Sequence, residues 1–386
     1  MTNILFINGN LKVGGVEMAL VNLLNCLDKS KYSIDLLLVQ DGYAYEHNLS
    51  PNINCIKVKI DEGQGPFFKA IKRCIKNRNL TSLSYRLINI FASRISPKLF
   101  KYVYLEKKIK KEYDCVISFR PGICADLALY AVNSKNKICW WHHGNINQSL
   151  KILDYQLSKF NKVVTVSHGV KIMLENYFSN LKNKISVLPN CIDIDMINSQ
   201  ARQYKPNYIN KEEHSLKIIT VSRLSAEKNV IKAVEVAKCL RGNNIAFNWH
   251  IIGDGECMQA IKDEILREGL ESYIHMEGNQ INPYPWIEGA DIMVHLSTIE
   301  SFGLVILEAM ALDTPCIAAK SIGAQNLING TNGVCTVSSP ALIAEEIIKL
   351  SKDKERYNMI IQNVKSTVDE YSPNKVFYQF EKIVLR

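Results

Sequence analysis

Residues 291–320 read DIMVHLSTIESFGLVILEAMALDTPCIAAK. Two short apolar runs, IMVHL and CIAA, flank a longer one that starts at Phe302 and ends at Leu312. The short runs, bounded by polar residues and Pro315, read as strands buried on both faces. The middle run is apolar nearly all round, so it reads as a buried helix and not as an amphipathic one. Strand, helix and strand in this order make a βαβ unit, which calls for a parallel sheet. Glu308 is the helix's only charge, and Glu300 lies in the loop before it. An unpaired carboxylate in an apolar interior costs several kcal/mol, roughly, so both acids need partners.

The same rhythm extends outward in both directions. Before this unit come KIITVS, VIKAVEVAKCL, NWHIIG and MQAIKDEILREGL, alternating strand and helix. The first half repeats the pattern with ILFIN, VEMALVNLLNCL, IDLLLVQ, CVISF, KICWW and KVVTVS. Two doubly wound α/β domains of the Rossmann-like kind are expected. Between Asp195 and Leu216 the chain is polar, contains Pro206 and loses its apolar period, which marks the joint. The expected division is 1–196 for the first domain and 197–371 for the second. Residues 372–386 carry Val376, Phe377, Phe380, Ile383 and Val384 at helical spacing, a last helix expected to pack back on the first domain.

Length and composition agree with two domains. A chain of 386 residues exceeds one ordinary domain, and 47% hydrophobic residues suffice for two cores. The N-terminus reads as a first strand, not as a secretory leader, and no uncharged apolar run of membrane-spanning length occurs. The eleven cysteines are scattered without a C-x-x-C pair, which suits reduced thiols in a cytoplasmic protein better than a disulfide frame or a zinc site. Charge is uneven: residues 66–111 hold nine Lys and four Arg against Glu106, a net of +12 where the whole chain carries +9. The segment 67–111 mixes these cations with Phe, Ile, Leu and Tyr, as basic amphipathic helices do at anionic membranes. A solvated basic face is the plain alternative. Nucleic acid is not expected, since no reading motif accompanies the charge.

In parallel sheets ligands gather beyond the carboxyl ends of the strands. After KIITV stand Arg223 and, where the next helix is expected to start, Lys228. A lysine at the positive end of a helix suits a bound anion, and an Arg–Lys pair suits two neighbouring phosphates, although two solvated surface charges read the same way. Gly253 and Gly255 in IIGDGE follow a strand and open a helix. They allow a close approach to a nucleotide, or form an ordinary turn, for the full G-x-G-x-x-G pattern is missing. Glu300 and Glu308 are placed to accept hydrogen bonds from sugar and ribose hydroxyls. The alternative is a helix-terminal acid and a core-paired acid. Gly14 and Gly15 join the first strand to its helix, where backbone N–H groups can face a diphosphate. His142 and His143 end another strand. No further ligand at suitable spacing makes them a metal site, and Asp193 and Asp195 in an interdomain stretch are no metal motif either.

SRLSAEK, GDGE and ESFGLVILE, an E-x7-E pattern, follow one another in an order that resembles the retaining glycosyltransferases of family four, which have the GT-B fold. GGVE, HHG and VLPNCID are similar to members of the same family, so the resemblance covers most of the chain. It implies that Arg223 and Lys228 hold the donor diphosphate, that Glu300 contacts the transferred sugar, and that Glu308 contacts the nucleotide ribose. It further implies roles for the backbone of Phe302, Gly303 and Leu304, for Gly15 at the diphosphate, and for His143 near the donor sugar. Gly253 joins the donor-binding set. Three departures stand out: Asn229 and Ser301 replace glycines, and residues 322–326, IGAQN, replace a G-G-x-x-E turn and lose its acid.

The expected activity is therefore metal-independent, retaining transfer of a hexose-type sugar. The donor is a nucleotide diphosphate sugar, UDP first, serving as co-substrate with no other cofactor. The acceptor is a glycan or lipid-linked glycan in capsule, O-antigen or exopolysaccharide assembly, met by a peripheral protein at the inner face of the cell membrane. A nucleotide-sugar epimerase of similar shape and a noncatalytic glycan-binding module are the rivals. A glycosidase using Glu300 and Glu308 is disfavoured, because a mid-helix Glu308 is poorly placed to share one sugar bond with Glu300.

Overall fold

The computed structural model describes residues 1–58, 75–76, 83–84, 109, 111–146, 150–206 and 215–384. The basic segment 67–111 lies outside the described residues apart from isolated positions. The chain divides into two units. The first comprises Met1–His142, Ile146–Asn190 and Val376–Arg386; the second comprises His143–Asn145 and Cys191–Lys375.

Strands β1 (Thr2–Asn8), β2 (Tyr32–Leu38), β3 (Asn54–Lys57), β4 (Cys115–Ser118), β5 (Asn136–Trp141), β6 (Lys162–Thr165) and β7 (Ile185–Val187) form the sheet of the first unit. Their order is β3-β2-β1-β4-β5-β6-β7, and every pairing is parallel. Ile4 to Ile7 on β1 are fully buried, as a central strand covered on both faces requires. Helix α1 (Gly15–Cys26) returns from β1 to β2. The order reverses between β1 and β4, which makes their carboxyl ends the ligand-binding edge of the sheet.

The chain's last helix, Pro373–Val384, closes this unit. Val376, Phe380 and Val384, four residues apart, are buried. The Phe380 ring stacks on Phe6 with centroids 6.4 Å apart. The Tyr32 hydroxyl donates to Glu381 at 2.6 Å, and Asn136 Nδ2 donates to the Val384 carbonyl at 2.8 Å. That carbonyl is one of the four that every helix C-terminus leaves without an internal donor.

The main stretch of the second unit begins at Cys191, six residues before the start expected at 197. The reason is α2 (Ile194–Ala201), whose Ile197 and Ala201 are buried. Asp193, the first acid of the DID triplet, caps this helix by accepting from the Met196 N–H at 2.9 Å. Strands β8 (Leu216–Val221), β9 (Phe247–Ile252), β10 (Ile274–Gly278), β11 (Ile292–His295), β12 (Cys316–Ala319) and β13 (Val334–Thr336) follow. Their order is β10-β9-β8-β11-β12-β13, again all parallel. The reversal point here lies between β8 and β11. The helices that matter for the site are α3 (Lys232–Gly242) after β8, α4 (Met258–Arg267) after β9, α5 (Tyr284–Glu288) before β11, α6 (Leu304–Ala311) after it and α7 (Ile322–Leu327) after β12.

Candidate functional site

The loops leaving β8 and β11 meet at the reversal point of the second sheet, and they bring Lys228 and Glu300 together. Lys228 Nζ donates to Glu300 Oε2 at 2.7 Å, with both side chains about six-sevenths buried at 16% and 15% exposure. Glu300 Oε1 accepts the Ser301 N–H at 3.2 Å. Burial alone would raise the Glu300 pKa, but the His295 imidazole and the Lys228 ammonium more than offset it and hold the carboxyl well below its ordinary value. Glu300 is therefore an ionised acceptor throughout the neutral range.

Backbone packs tightly around this acid. The Glu300 carbonyl accepts from the Gly323 N–H at 2.8 Å, at the start of α7. A side chain at Gly323 would meet the Phe302 backbone at 2.7 Å, and one at Gly144 would meet the Glu300 carbonyl at 3.0 Å. The HHG turn thus lies against the Glu300–Ser301 peptide, with His143 exposed beside it and in the same unit. His142, by contrast, is buried among Phe119 and Trp140 in the first unit.

Lys228 does not start the long helix as the sequence suggested. It ends a separate short turn, Ala226–Lys228, and α3 begins only at Lys232. The break comes at Asn229, whose φ of 53° is left-handed. That conformation explains why glycine is usual here and why asparagine, the side chain that tolerates it best, can replace it. Arg223 is 64% exposed and pairs with Glu227 at 2.9 Å, so it stands on the same loop with its fork available at modest cost.

Gly253 touches this loop directly. A Cβ there would lie 1.8 Å from the Ser222 carbonyl oxygen. Leu224 N–H donates to the Asp254 carbonyl and Cys257 N–H to the Leu224 carbonyl, at 3.0 and 2.8 Å. The GDG turn therefore supports the Arg223 backbone, which accounts for its glycine without a ligand.

Phe302, Gly303, Leu304 and Glu308 lie on one element. Gly303 caps α6 with φ 89°, and its carbonyl accepts from Ile306 and Leu307. The N–H groups ahead of those two have no acceptor within the helix and point from its positive end. The Phe302 ring is buried edge-on against Tyr371. Glu308 accepts from the Tyr284 hydroxyl at 3.3 Å. Burial pushes its carboxyl up to about 7, with the Tyr284 hydrogen bond working in the opposite direction.

Gly15 belongs to the first unit, at the start of α1 and the carboxyl end of β1. There the structure adds residues that sequence patterns did not single out. Arg120 Nε donates to buried Asn8 at 2.9 Å, and its Nη2 pairs closely with Glu17. The Glu17 carboxylate lies directly under the Gly14–Gly15 turn. In the second unit, the overlooked residues are His295 and Tyr284. A lone histidine in a strand reads as core from sequence, and nothing near Tyr284 announces a partner 24 residues away.

Residues 202–367 match the family described as Glycosyl transferases group 1. Over that stretch the chain resembles the group 1, family-four glycosyltransferases, as its motifs do. Among curated proteins, the chain is 28% identical over 275 residues to N-acetyl-alpha-D-glucosaminyl L-malate synthase of Bacillus anthracis, covering 68% of this chain and 71% of that one. It is 26% identical over 278 residues to poly(ribitol-phosphate) alpha-N-acetylglucosaminyltransferase of Staphylococcus aureus, covering 68% and 52%. Among solved structures, Anabaena HepE in complex with UDP superimposes with a TM-score of 0.71 at 18% identity, covering 99% of each chain. The chain thus has the GT-B fold expected from its motifs.

Proposed function

We propose that this protein is a glycosyltransferase that transfers a hexose-type sugar, with retention at the anomeric carbon, from a UDP-sugar to a hydroxyl of a glycan or lipid-linked glycan. The observation that carries this reading is the Lys228–Glu300 pair at the reversal point of the second sheet, a cation for phosphate beside an acid for sugar hydroxyls. The UDP in HepE supports the choice of base, and the names of the curated relatives support an N-acetylhexosamine or hexose.

In the transfer, the bond between the anomeric carbon and the diphosphate oxygen breaks, and its electron pair stays on that oxygen. With the donor bound, Lys228, Arg223 and the N–H groups at the start of α6 face that growing charge. Preorganised donors of this kind contribute about 3 kcal/mol each. They supply the charge that a divalent metal supplies in other transferases. The acceptor oxygen bonds to the same face of the anomeric carbon, and its proton passes to the departing phosphate oxygen. Glu300 accepts from hydroxyls of the transferred sugar, Glu308 from the ribose, Gly15 meets the diphosphate through its backbone, and His143 lies near the sugar. Glu308, mid-helix and bonded to Tyr284, is poorly placed to share one sugar bond with Glu300, so the glycosidase reading stays disfavoured.

The test is a calorimetric screen of UDP-, GDP- and ADP-sugars, followed by product analysis with a lipid-linked acceptor. A UDP-sugar should bind in the micromolar range and give a product of unchanged anomeric configuration. Inversion, or conversion of the donor to an isomer with no acceptor present, overturns the proposal.

A membrane-linked acceptor gives the basic segment 67–111 its role as a contact for anionic lipid in surface-polysaccharide assembly, from capsule and O-antigen to exopolysaccharide. Its cations contribute about 1 kcal/mol each near such a surface. Flotation with anionic vesicles should fall sharply when four of its lysines become glutamine, and unchanged flotation removes the membrane from the account. Among the described residues no helix is long and apolar enough to cross a membrane.

A further inference from the structure

The Lys228–Glu300 pair raises a difficulty for the donor reading. Lys228 is needed on the diphosphate, yet in the free protein it neutralises the acid that is to hold the sugar. When Lys228 turns to the phosphates, Glu300 loses its shortest contact and keeps the Ser301 N–H at 3.2 Å and the more distant His295 ring at 3.5 Å. A buried carboxylate left so poorly satisfied either rotates or takes up a proton. In both cases it stops being a fixed acceptor for sugar hydroxyls.

His295 stands ready for that moment. It is the last residue of β11, 2% exposed, and paired in register with Ala318 on β12. Its Nε2 makes no hydrogen bond, although it is completely buried. It lies 3.5 Å from Glu300 Oε2, the same oxygen that Lys228 holds. A buried ring nitrogen without a partner is uncommon and asks for an explanation. An aliphatic residue would fill this strand position without that cost. The lysine sits on a short turn at the end of a four-carbon stem, so it can move, whereas the imidazole is fixed by a strand hydrogen-bonded on both sides.

We propose that His295 is a positioning residue, which closes onto Glu300 Oε2 when Lys228 leaves for the donor diphosphate and so keeps the carboxylate ionised and aimed at the sugar. The exchange needs a shift of only about 0.5 Å to reach ordinary hydrogen-bond length. It makes one cation serve two duties in sequence: resting partner of the acid, then partner of the leaving group. This rests on the reading of Lys228 as a diphosphate ligand.

The experiment compares His295→Leu, His295→Gln and His295→Asn with wild type. Two quantities are read: the dissociation constant of UDP, and that of the UDP-sugar together with the rate of UDP release from it. In His295→Leu, UDP should bind only a fewfold more weakly, the cost of leaving Glu300 without support when Lys228 departs, while sugar-dependent affinity and UDP release each fall at least tenfold. Gln reaches as far as Nε2 with an N–H donor and should restore most of the loss; Asn, one bond shorter, should not. If the Leu variant does not fold, the Gln–Asn contrast decides. Equal activity of all variants, or a fall in UDP affinity as large as that for the sugar, overturns the proposal while leaving the donor reading intact. A wild-type protein that binds no nucleoside diphosphate overturns both.

Discussion

Lys228→Ala is expected to slow transfer by about two to three orders of magnitude and to weaken UDP binding at least tenfold. Two physical losses combine. The first is the charge on the leaving diphosphate, where one preorganised donor contributes about 3 kcal/mol. The second falls on Glu300. Removing one partner of a largely buried ion pair costs about 3–5 kcal/mol when the other charge is left uncompensated, less here because the Ser301 N–H and His295 remain within reach. The two losses separate by pH. Glu300 has a folded pKa depressed below its unfolded value, so its stabilising contribution is complete above the ordinary carboxylate range and disappears as pH falls through the folded value. In the variant this contribution shrinks, so the gap in Tm between variant and wild type should be widest near neutral pH and narrow in acid. Turnover measured well below the variant's Tm should still show the full catalytic loss. Wild-type turnover in Lys228→Ala would mean that the diphosphate lies elsewhere.

Much of this architecture is legible in the chain because parallel sheets announce themselves. IMVHL and CIAA around an all-apolar helix leave little room for another fold, and the strand ends then point to Lys228 and Glu300 by position alone. The end of the buried helix and the start of α3 were less legible, because both depend on single backbone conformations. Asn229 at φ 53° detaches Lys228 from α3, and Asp313 at φ 54° follows the end of α6. Neither residue type forces a left-handed turn. The unit boundary was displaced for a similar reason: the polar surface of α2 resembles a linker, while its Ile197 and Ala201 are core. What sequence could not give were partners brought together by the fold. His295 and Glu300 are five residues apart but face each other only because a strand ends between them. Tyr284 and Glu308 meet across two helices. Glu17 and Arg120 meet across the carboxyl edge of the first sheet.

Glu308 should make both stability and donor binding depend on pH between about 5 and 7, and Glu308→Gln should abolish both dependences. An ordinary glutamate loses its proton near 4.3, roughly, whereas burial holds this one protonated to about 7. Between those values the folded chain binds one proton more than the unfolded chain. Stability therefore falls as pH rises through this window, by up to about 1.4 kcal/mol per unit and about 4 kcal/mol in total. The side chain keeps a partly exposed edge, so the observed change should fall somewhat below that total. At pH 5 wild type and Glu308→Gln should unfold at similar temperatures, since Tyr284 can bond either group; at pH 8 the variant should be the more stable. Donor binding runs the other way. Ribose hydroxyls donate, so they favour the ionised acid, and binding must expel the proton below its pKa. UDP affinity should rise nearly tenfold per pH unit up to about 7 and then level off, with close to one proton released per UDP bound at pH 6. The variant should bind UDP more weakly above pH 7, with a flat profile. Calorimetry in two buffers of different ionisation enthalpy measures the released proton directly. A wild-type profile as flat as the variant's would place the ribose away from Glu308, even if UDP binds tightly.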